Sequence, residues 1–218
     1  MRIVVANWKR NMDTEKVRGW LSMWEQVAGV QAVIAPSLEH LPLVRESNPD
    51  LTLATQDASE VQSVGEAEKA PPHEVVKFSI TGHSERHETI GVSASKTKWC
   101  LEQKVTPILC FADAETLPKL LTELANNGVN PHDCVFCWED PKNISRQGVY
   151  NPKTPQEVAI GVDALKEKLP PGIKLLYGGS VNETNTAELA NITKLDGALV
   201  GNASLNPQTF HKVVRSFA

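Results

Sequence analysis

Short apolar runs alternate along this chain with longer segments whose apolar residues recur at helical spacing. The run at 2–8 is followed by a segment in which Val17, Trp20, Leu21 and Trp24 recur every three or four residues. Short continuous apolar runs predict buried strands, and a period of 3.6 residues predicts amphipathic helices. The pattern predicts eight strands, at residues 2–8, 31–36, 51–56, 78–82, 106–111, 134–138, 174–177 and 197–200.

The segments between the strands carry helical patterns. We predict helices over 13–28, 38–47, 93–103, 114–126, 154–169 and 184–192, a helical turn at 73–76 and a last helix from Asn206, whereas 57–72 is polar and predicted to be irregular. Thr154-Pro155-Gln156-Glu157 has the residues of an N-cap with a capping box. About eight β-α units follow one another without a Gly/Ser-rich linker. The pattern therefore predicts one α/β domain, residues 1–218, folded as a (β/α)8 barrel of eight parallel strands surrounded by helices.

Polar residues that can do chemistry follow five of the predicted strands. In a (β/α)8 barrel the carboxyl ends of all strands meet at one face, where active sites lie. Taken singly, a lysine there is usually a solvated loop residue and a histidine is usually structural. Taken together, they predict an active site formed by Asn7-Trp8-Lys9, the segment 82–86, Glu139, Gly178-Gly179-Ser180 and Gly201-Asn202-Ala203-Ser204.

Glu139 is the first candidate for a general base, because an apolar strand ends abruptly on its carboxylate. The glycine-rich turns after strands 7 and 8 offer backbone N–H groups at helix starts, which is the usual phosphate site of this fold. The alternative is that these glycines only permit tight turns. The functional interpretation is that these two turns bind the phosphate of a phosphorylated small molecule.

Composition narrows the classes of partner. Residues of the hydrophobic class make up 41% of the 218 residues, and the formal net charge is −4 without any block of like charges. This charge argues against binding to nucleic acid or to an acidic membrane, so an anionic ligand requires a local positive site. No apolar run approaches the ~20 residues that span a bilayer, and the first residues lack a signal-peptide pattern. We expect a cytoplasmic protein.

The cysteines and histidines raise the question of a metal. Cys134 and Cys137 form a C-x-x-C, but residues three apart on a strand point to opposite faces, so we expect both to be buried apolar residues. His83 and His87 are spaced to hold a metal on a helix together with Glu88, but no further ligand is evident. We therefore predict neither metal nor cofactor.

Several strings resemble the triosephosphate isomerase family, in the family's order and from end to end of the chain. They are Asn7-Trp8-Lys9, Thr81-Gly82-His83-Ser84-Glu85-Arg86, Trp138-Glu139, Tyr177-Gly178-Gly179-Ser180-Val181 and the segment 196–205. The resemblance implies a TIM barrel that interconverts dihydroxyacetone phosphate and glyceraldehyde 3-phosphate, without cofactor or metal. The alternatives are a barrel that binds triose phosphate with weak or no turnover, or an enzyme for another phosphosugar.

The resemblance also implies roles for individual residues. Glu139 is the base, and His83 polarises the carbonyl and shuttles protons, with a helical turn opened by Ser84 favouring the neutral imidazole. Lys9 supplies positive charge, Asn7 hydrogen-bonds substrate oxygens, and Glu85 holds Lys9. The expected phosphate contacts, in addition to Asn7 and Lys9, come from Gly179, Ser180, Gly201 and Asn202 and, in the lid loop, from Ser145 and Gly148.

Three stretches depart from the family pattern. Residues 140–153 replace the family's Pro-Val-Trp hinge and Ile-Gly-Thr-Gly tip. Within this loop, we expect the charge of Asp140 to raise the pKa of Glu139 or to hinder phosphate binding, and the charges of Lys142 and Arg146 to offset it. Asn202 replaces a second glycine, which its tolerance of the left-handed region permits. Residues 57–72 lack the Gly-Ala-Phe-Thr-Gly string that docks into a neighbouring subunit. A homo-oligomer is expected, with a dimer favoured.

Overall fold

Eight parallel strands close into one barrel in the computed structural model, which describes residues 1–144 and 149–218. Each strand pairs with the next in the chain, and β8 closes the barrel against β1 with Ile3 opposite Gly197. The strands are β1 (Arg2–Asn7), β2 (Val30–Ala35), β3 (Thr52–Thr55), β4 (Phe78–Thr81), β5 (Thr106–Phe111), β6 (Val135–Trp138), β7 (Lys174–Tyr177) and β8 (Gly197–Val200). The predicted (β/α)8 barrel is confirmed.

Helices lie between the strands and cover the outside of the barrel. They are α1 (Thr14–Met23), α2 (Leu41–Ser47), α3 (Ser59–Glu68), α4 (Pro72–Val75), α5 (Ile90–Glu102), α6 (Thr116–Asn126), α7 (Pro155–Lys168), α8 (Thr186–Ala190) and α9 (Pro207–Ser216). Most predicted helices are present within a few residues. The first is shorter than predicted, because the backbone turns extended at Trp24.

The prediction of an irregular segment at 57–72 is wrong. Residues Ser59–Glu68 form α3, whose first turn is stabilised by Asp57, since that carboxylate accepts the Ser59 N–H at 2.9 Å. Only Val61, Val64 and Gly65 of this helix are buried. Such a narrow apolar stripe within a polar segment gives little helical periodicity in the sequence, which is why the helix escaped the pattern analysis.

The core has two layers separated by the strands. Alternate strand residues fill the inside of the barrel, and the others pack against the helices. Cys137 belongs to the inner layer and Cys134 to the outer one, so the predicted opposite orientation of the C-x-x-C cysteines is confirmed. All four cysteines are buried and unpaired. Burial raises the pKa of Cys100 to about 11 and that of Cys134 to about 12.

An aromatic cluster fastens α1 and α9 over the end of the barrel. The Trp20 ring stacks on Trp24 with centroids 5.0 Å apart, and both rings contact Phe210. The Trp20 indole N–H donates to the Ser204 carbonyl at 3.0 Å. This bond holds the turn that follows β8, where phosphate contacts are expected. Among the described residues, no helix has the length and apolar character needed to cross a membrane.

The capping box predicted at Thr154 is present and gives a test of local stability. The Glu157 N–H donates to Thr154 Oγ at 3.3 Å, and Glu157 Oε2 accepts from the Thr154 N–H at 2.7 Å. Thr154→Ala should lower the free energy of unfolding by about 1 kcal/mol, measured by denaturant titration. The control Thr122→Ala, on the exposed face of α6, should change it by less than ~0.5 kcal/mol. Equal effects would contradict a stabilising cap.

Candidate active site

The carboxyl ends of the strands surround a cavity of about 1040 Å³. Lys9, His83, Glu139 and Asn202 line it together with Ser84 and Glu85. A smaller pocket adjoins it, shares Lys9, His83 and Glu139, and is also lined by Ser180 and Gly201. The structure therefore brings to one place the residues singled out at five separate strand ends.

Glu139 and His83 face each other at the bottom of this cavity. The distance from His83 Nε2 to Glu139 Oε1 is 3.3 Å, and the Ser84 N–H donates to Glu139 Oε2 at 3.5 Å. Glu139 has only 2% of its surface exposed. Its place beside β7 requires a residue without a side chain at Gly178, because an added Cβ there would lie 2.7 Å from Glu139 Cγ.

The backbone after β4 determines which nitrogen of His83 carries a proton. His83 precedes a short 3-10 turn, Ser84–Arg86, and the Glu85 N–H donates to His83 Nδ1 at 3.3 Å. A nitrogen that accepts cannot also carry a proton, so the neutral ring has its proton on Nε2, which faces Glu139. The helical turn expected after His83 is therefore present, and its N–H group binds the imidazole directly.

The charges of Glu139 and His83 shift each other's titration. Burial acts to lower the pKa of His83, but the Glu139 carboxylate outweighs it and raises the pKa above its ordinary value. Burial likewise acts to raise the pKa of Glu139, but the charge and hydrogen bond of His83, a hydrogen bond from the Cys110 thiol and the Ser84 N–H together lower it. The Glu139 carboxylate thus opposes the effect of the turn, which alone favours the neutral imidazole.

The expectation that Asp140 raises the pKa of Glu139 is wrong, whereas the alternative, that Asp140 hinders phosphate, stays a prediction. The pKa of Glu139 is lowered, and the Asp140 carboxylate pairs with Lys153 at 2.8 Å. This pairing lowers the pKa of Asp140 against the effect of burial. Lys142 contributes its backbone N–H to Asp140 at 3.0 Å, and Arg146 lies outside the described residues. The charges of Lys153 and Lys142 both lower the pKa of Asp140, so the expected offset by Lys142 is present and Lys153 adds to it.

Lys9 is held in an uncommon backbone conformation. Its φ of 52° lies in the left-handed region, where non-glycine residues are infrequent. The Lys9 N–H donates to Asn7 Oδ1 at 3.2 Å, and its Nζ lies 2.5 Å from Glu85 Oε1. The expected pair of Lys9 and Glu85 is present. Asn7 is buried and its Oδ1 is directed at the Lys9 backbone rather than into the cavity.

Two polar residues that hold the site escaped the sequence analysis. Gln56 Nε2 donates to the Lys9 carbonyl at 2.9 Å and to the Ala35 carbonyl at 3.0 Å. Asp57, 1% exposed, binds Lys96 Nζ with both oxygens, at 2.7 and 2.9 Å. Both residues follow β3, so the same search of strand ends that found Lys9 was sufficient to flag them.

The turns after β7 and β8 have different geometries. Ser180 has a φ of 50°, in the left-handed region, whereas Asn202 begins a right-handed 3-10 turn, Asn202–Leu205. The expectation that Asn202 uses the left-handed region is therefore wrong. Asn202 Nδ2 instead bonds the Tyr150 hydroxyl at 3.1 Å. Gly179 packs against the Tyr177 ring, since an added Cβ would meet its hydroxyl oxygen at 2.1 Å.

Hydrogen bonds join the two ends of the loop that follows Glu139. Asn143 Nδ2 donates to the Asn151 carbonyl at 3.0 Å, and Asn151 Nδ2 donates to the Lys142 carbonyl at 2.7 Å. Ser180 Oγ donates to the Asn143 carbonyl at 2.8 Å and accepts the Asn151 N–H at 3.3 Å. Both ends are thus fixed to each other and to the turn after β7. The lid contacts expected from Ser145 and Gly148 lie outside the described residues.

The metal ligands considered at His83, His87 and Glu88 do not share a helix. Ser84–Arg86 is a single 3-10 turn, His87 adopts a φ of 52°, and Glu88 pairs with Lys96. Within residues 1–144 and 149–218, the side chains whose ligand atoms gather as a metal would require are instead Cys110, Cys137 and Glu139.

Comparison with known proteins identifies the family. The family model described as triosephosphate isomerase matches residues 2–217. The chain belongs to the triosephosphate isomerase family. It is 30% identical over 247 aligned positions to the triosephosphate isomerase of Aquifex aeolicus, with 99% of each chain covered. It is 28% identical over 246 positions to that of Thermus thermophilus, covering 98% of this chain and 97% of the relative.

The alignments also show that this family member is short. Aligned lengths of 246 and 247 positions exceed the 218 residues of the chain, so the relatives contain segments that it lacks. Family membership agrees with the arrangement of Lys9, His83 and Glu139 around one cavity.

The opposed pKa shifts of Glu139 and His83 predict a pH-dependent stability. Because the pKa of His83 is raised in the folded state, its protonation stabilises the fold. This contribution is complete below pH 6.5, the ordinary pKa of histidine, and is lost as the pH rises through the pKa of the folded state. A lowered Glu139 pKa contributes stability above the ordinary 4.5 that is lost as the pH falls. The loss of unfolding free energy in Glu139→Gln should therefore be largest between pH 4.5 and 6.5. Exposed Glu167→Gln should show no such maximum, and a flat profile for Glu139→Gln would contradict the coupling.

The contact at Gly178 predicts that a single methyl group displaces the base. Gly178→Ala places Cβ 2.7 Å from Glu139 Cγ, so the carboxylate must move, and misplacement by about 1 Å costs roughly 100-fold in rate. Gly91→Ala, with no atom within 4 Å of the new Cβ, is the matched control and should keep the parent's rate. Isomerase kinetics and circular dichroism together check this. A folded Gly178→Ala protein with the parent's rate would refute it.

Proposed function

We propose that this protein is an active triosephosphate isomerase, which interconverts dihydroxyacetone phosphate and D-glyceraldehyde 3-phosphate through an enediolate, as glycolysis and gluconeogenesis require. The observation that carries the proposal is the pair at the cavity bottom, in which an ionised Glu139 faces the Nε2 of His83 at 3.3 Å. An isomerase of this type needs a base for a carbon-bound proton and a hydrogen-bond donor for the neighbouring oxygen.

In the proposed reaction Glu139 removes a proton from the carbon next to the carbonyl, and the same carboxylic acid returns it to the neighbouring carbon. The lowered pKa of Glu139, caused by His83, the Cys110 thiol and the Ser84 N–H against the effect of burial, keeps the base ionised. His83 donates its Nε2 proton to the oxygen that becomes negative and takes a proton from the other oxygen. Since the Glu85 N–H occupies Nδ1, Nε2 is the nitrogen available for both transfers.

Binding of the phosphate dianion is proposed to rest on Lys9 and on N–H groups of the turns. Lys9 lines both the cavity and the adjoining pocket, and it supplies local positive charge in a chain of net charge −4. Ser180, Gly201 and Asn202 line the adjoining pocket, and we assign the phosphate to that side of the site. Asn7 is proposed to act mainly through Lys9, whose N–H it binds. Roles for Gly179, Ser145 and Gly148 stay predictions.

Turnover is favoured over binding alone. A triose-phosphate-binding barrel with no turnover requires only the phosphate turns and Lys9, and places no demand on a buried carboxylate. Burying an ionised carboxylate is unfavourable unless it is paired and hydrogen-bonded, and this chain retains the His83, Ser84 and Cys110 partners that stabilise it. Such an arrangement is explained by the proton transfer. The altered lid loop affects how well water is excluded from the intermediate. Such a change alters the rate of the reaction and not its type.

Replacing the base tests the reaction. Glu139→Gln keeps the shape of the side chain but cannot accept the proton, so kcat should fall by about 100- to 10,000-fold in a coupled assay of dihydroxyacetone phosphate formation. Exposed Glu167→Gln is the control and should match the parent. An equal rate in parent and Glu139→Gln would refute the assignment of the base. A parent that binds a phosphoglycolate-type analogue without turnover would favour the binding-only barrel, and faster turnover of longer phosphosugars would favour another substrate.

The homo-oligomer, with a dimer favoured, and the cytoplasmic location stay predictions. The loop that follows β3 leads directly into α3, whose carboxylate-rich surface differs from the docking string of the family.

A further inference from the structure

The residues on β5 and β6 place two thiols directly behind the base. Cys110 and Cys137 are register partners on these adjacent strands, and both belong to the layer inside the barrel. Glu139 follows Cys137 by two residues, and side chains two apart along an extended chain point the same way. The register of one strand pair thus directs Cys110, Cys137 and Glu139 to one point.

The side-chain atoms confirm what the register implies. The two Sγ atoms and a carboxylate oxygen of Glu139 all lie within 4.8 Å of one another. Glu139 and Cys137 also meet at Gly178, where an added Cβ would lie 2.7 Å from Glu139 Cγ and 3.3 Å from Cys137 Sγ. Cys110 lines the substrate cavity, so the group is reached through the path that the substrate uses.

We propose that Cys110, Cys137 and Glu139 form a binding site for a thiophilic divalent cation such as Zn²⁺, which inhibits the enzyme by taking its base as a ligand. Thiolate ligands select Zn²⁺ and related soft ions over Mg²⁺ and Ca²⁺. Three protein ligands with a fourth position open to solvent is a common zinc arrangement. Here the fourth position faces the cavity.

The distances require only small movements. With Zn–S near 2.3 Å and Zn–O near 2.1 Å, ligand atoms of a tetrahedral site lie about 3.5 to 3.8 Å apart. The ligand atoms lie within 4.8 Å of one another, so side-chain rotations that move them by the order of 1 Å bring them to these distances without movement of the paired strands. The bound ion then holds a Glu139 oxygen as a ligand, so the carboxylate that faces His83 is no longer free to take a proton.

Binding has to displace both thiol protons. Burial raises the pKa of Cys110, and the neighbouring Cys137 and Glu139 raise it further. The pKa of Cys137 is raised by burial and by Glu139, in spite of a hydrogen bond with Cys110. His83 is the charged group that acts on Glu139, and Lys9 and Glu85 act in turn on His83. Zn²⁺ displaces the thiol protons on binding, because the thiolate is the ligand.

Inhibition of the reduced enzyme by Zn²⁺ is the first test, with each rate expressed relative to that variant's own metal-free rate. The parent and Cys134→Ala should be inhibited at the same Zn²⁺ concentration through a fall in kcat, because the ion takes the base as a ligand. Cys137→Ala should need at least about 10-fold more Zn²⁺, because it lacks one thiolate. Cys134 is buried in the outer layer and forms no part of the group, so it is the matched control. Equal inhibition of Cys137→Ala and Cys134→Ala, or none of the parent, would overturn the proposal.

A second measurement does not depend on the isomerase activity, whereas the inhibition test rests on the proposed function. Cd²⁺ titration should produce the ultraviolet band of cadmium–thiolate bonds with one ion per chain in the parent and in Cys134→Ala, and a band of about half that intensity, at higher Cd²⁺ concentration, in Cys137→Ala. If Cys137→Ala fails to fold, as judged by circular dichroism, Cys137→Ser keeps the volume and tests the same loss of thiolate. A parent without the band, or a band of undiminished intensity in the variant, would exclude the site.

Discussion

Closure of the barrel between β8 and β1 is the constraint on which the site depends. Strand pairing in sequence order places the carboxyl ends of all eight strands on one rim, and the pairing of Ile3 with Gly197 returns Lys9 to the side of the turn after β8. His83 and Glu139 come from strands that are not adjacent, with β5 between them. Their 3.3 Å contact follows from the curvature of the closed sheet, which an open sheet does not provide.

The electrostatics of the site form a series of local pairings. Lys9 is balanced by Glu85, Glu139 by His83 and Asp140 by Lys153. Asp57, which follows β3, pairs with Lys96 and with Arg86, which follows β4. The loops after these two strands therefore share a charge network around one buried carboxylate. Each buried carboxylate has a cationic partner or several donors, as a low-dielectric interior requires.

The strands of the barrel and the main residues of the site could be predicted from the sequence, whereas one helix and several contacts could not. The bounds of β5, β7 and β8 matched, because uninterrupted apolar runs end at turn residues. The α3 helix was missed because only a narrow stripe of it is buried. Glu139, His83 and Lys9 could be found from their places at strand ends. The ion pair between Lys153 and Asp140 could not be predicted, since it depends on the path of a loop. The pairing of Cys110 with Cys137 could not be predicted either, since it depends on the register between two strands.

The side chains of Asn143 and Asn151 each donate to a backbone carbonyl at the other end of the loop that follows Glu139. Because these two ends are held together, they form a fixed base for an insertion between them. Doubling the length of such an insertion costs only about 0.6 kcal/mol in closure entropy. A change in the length of this segment therefore leaves the strand ends beneath it in register.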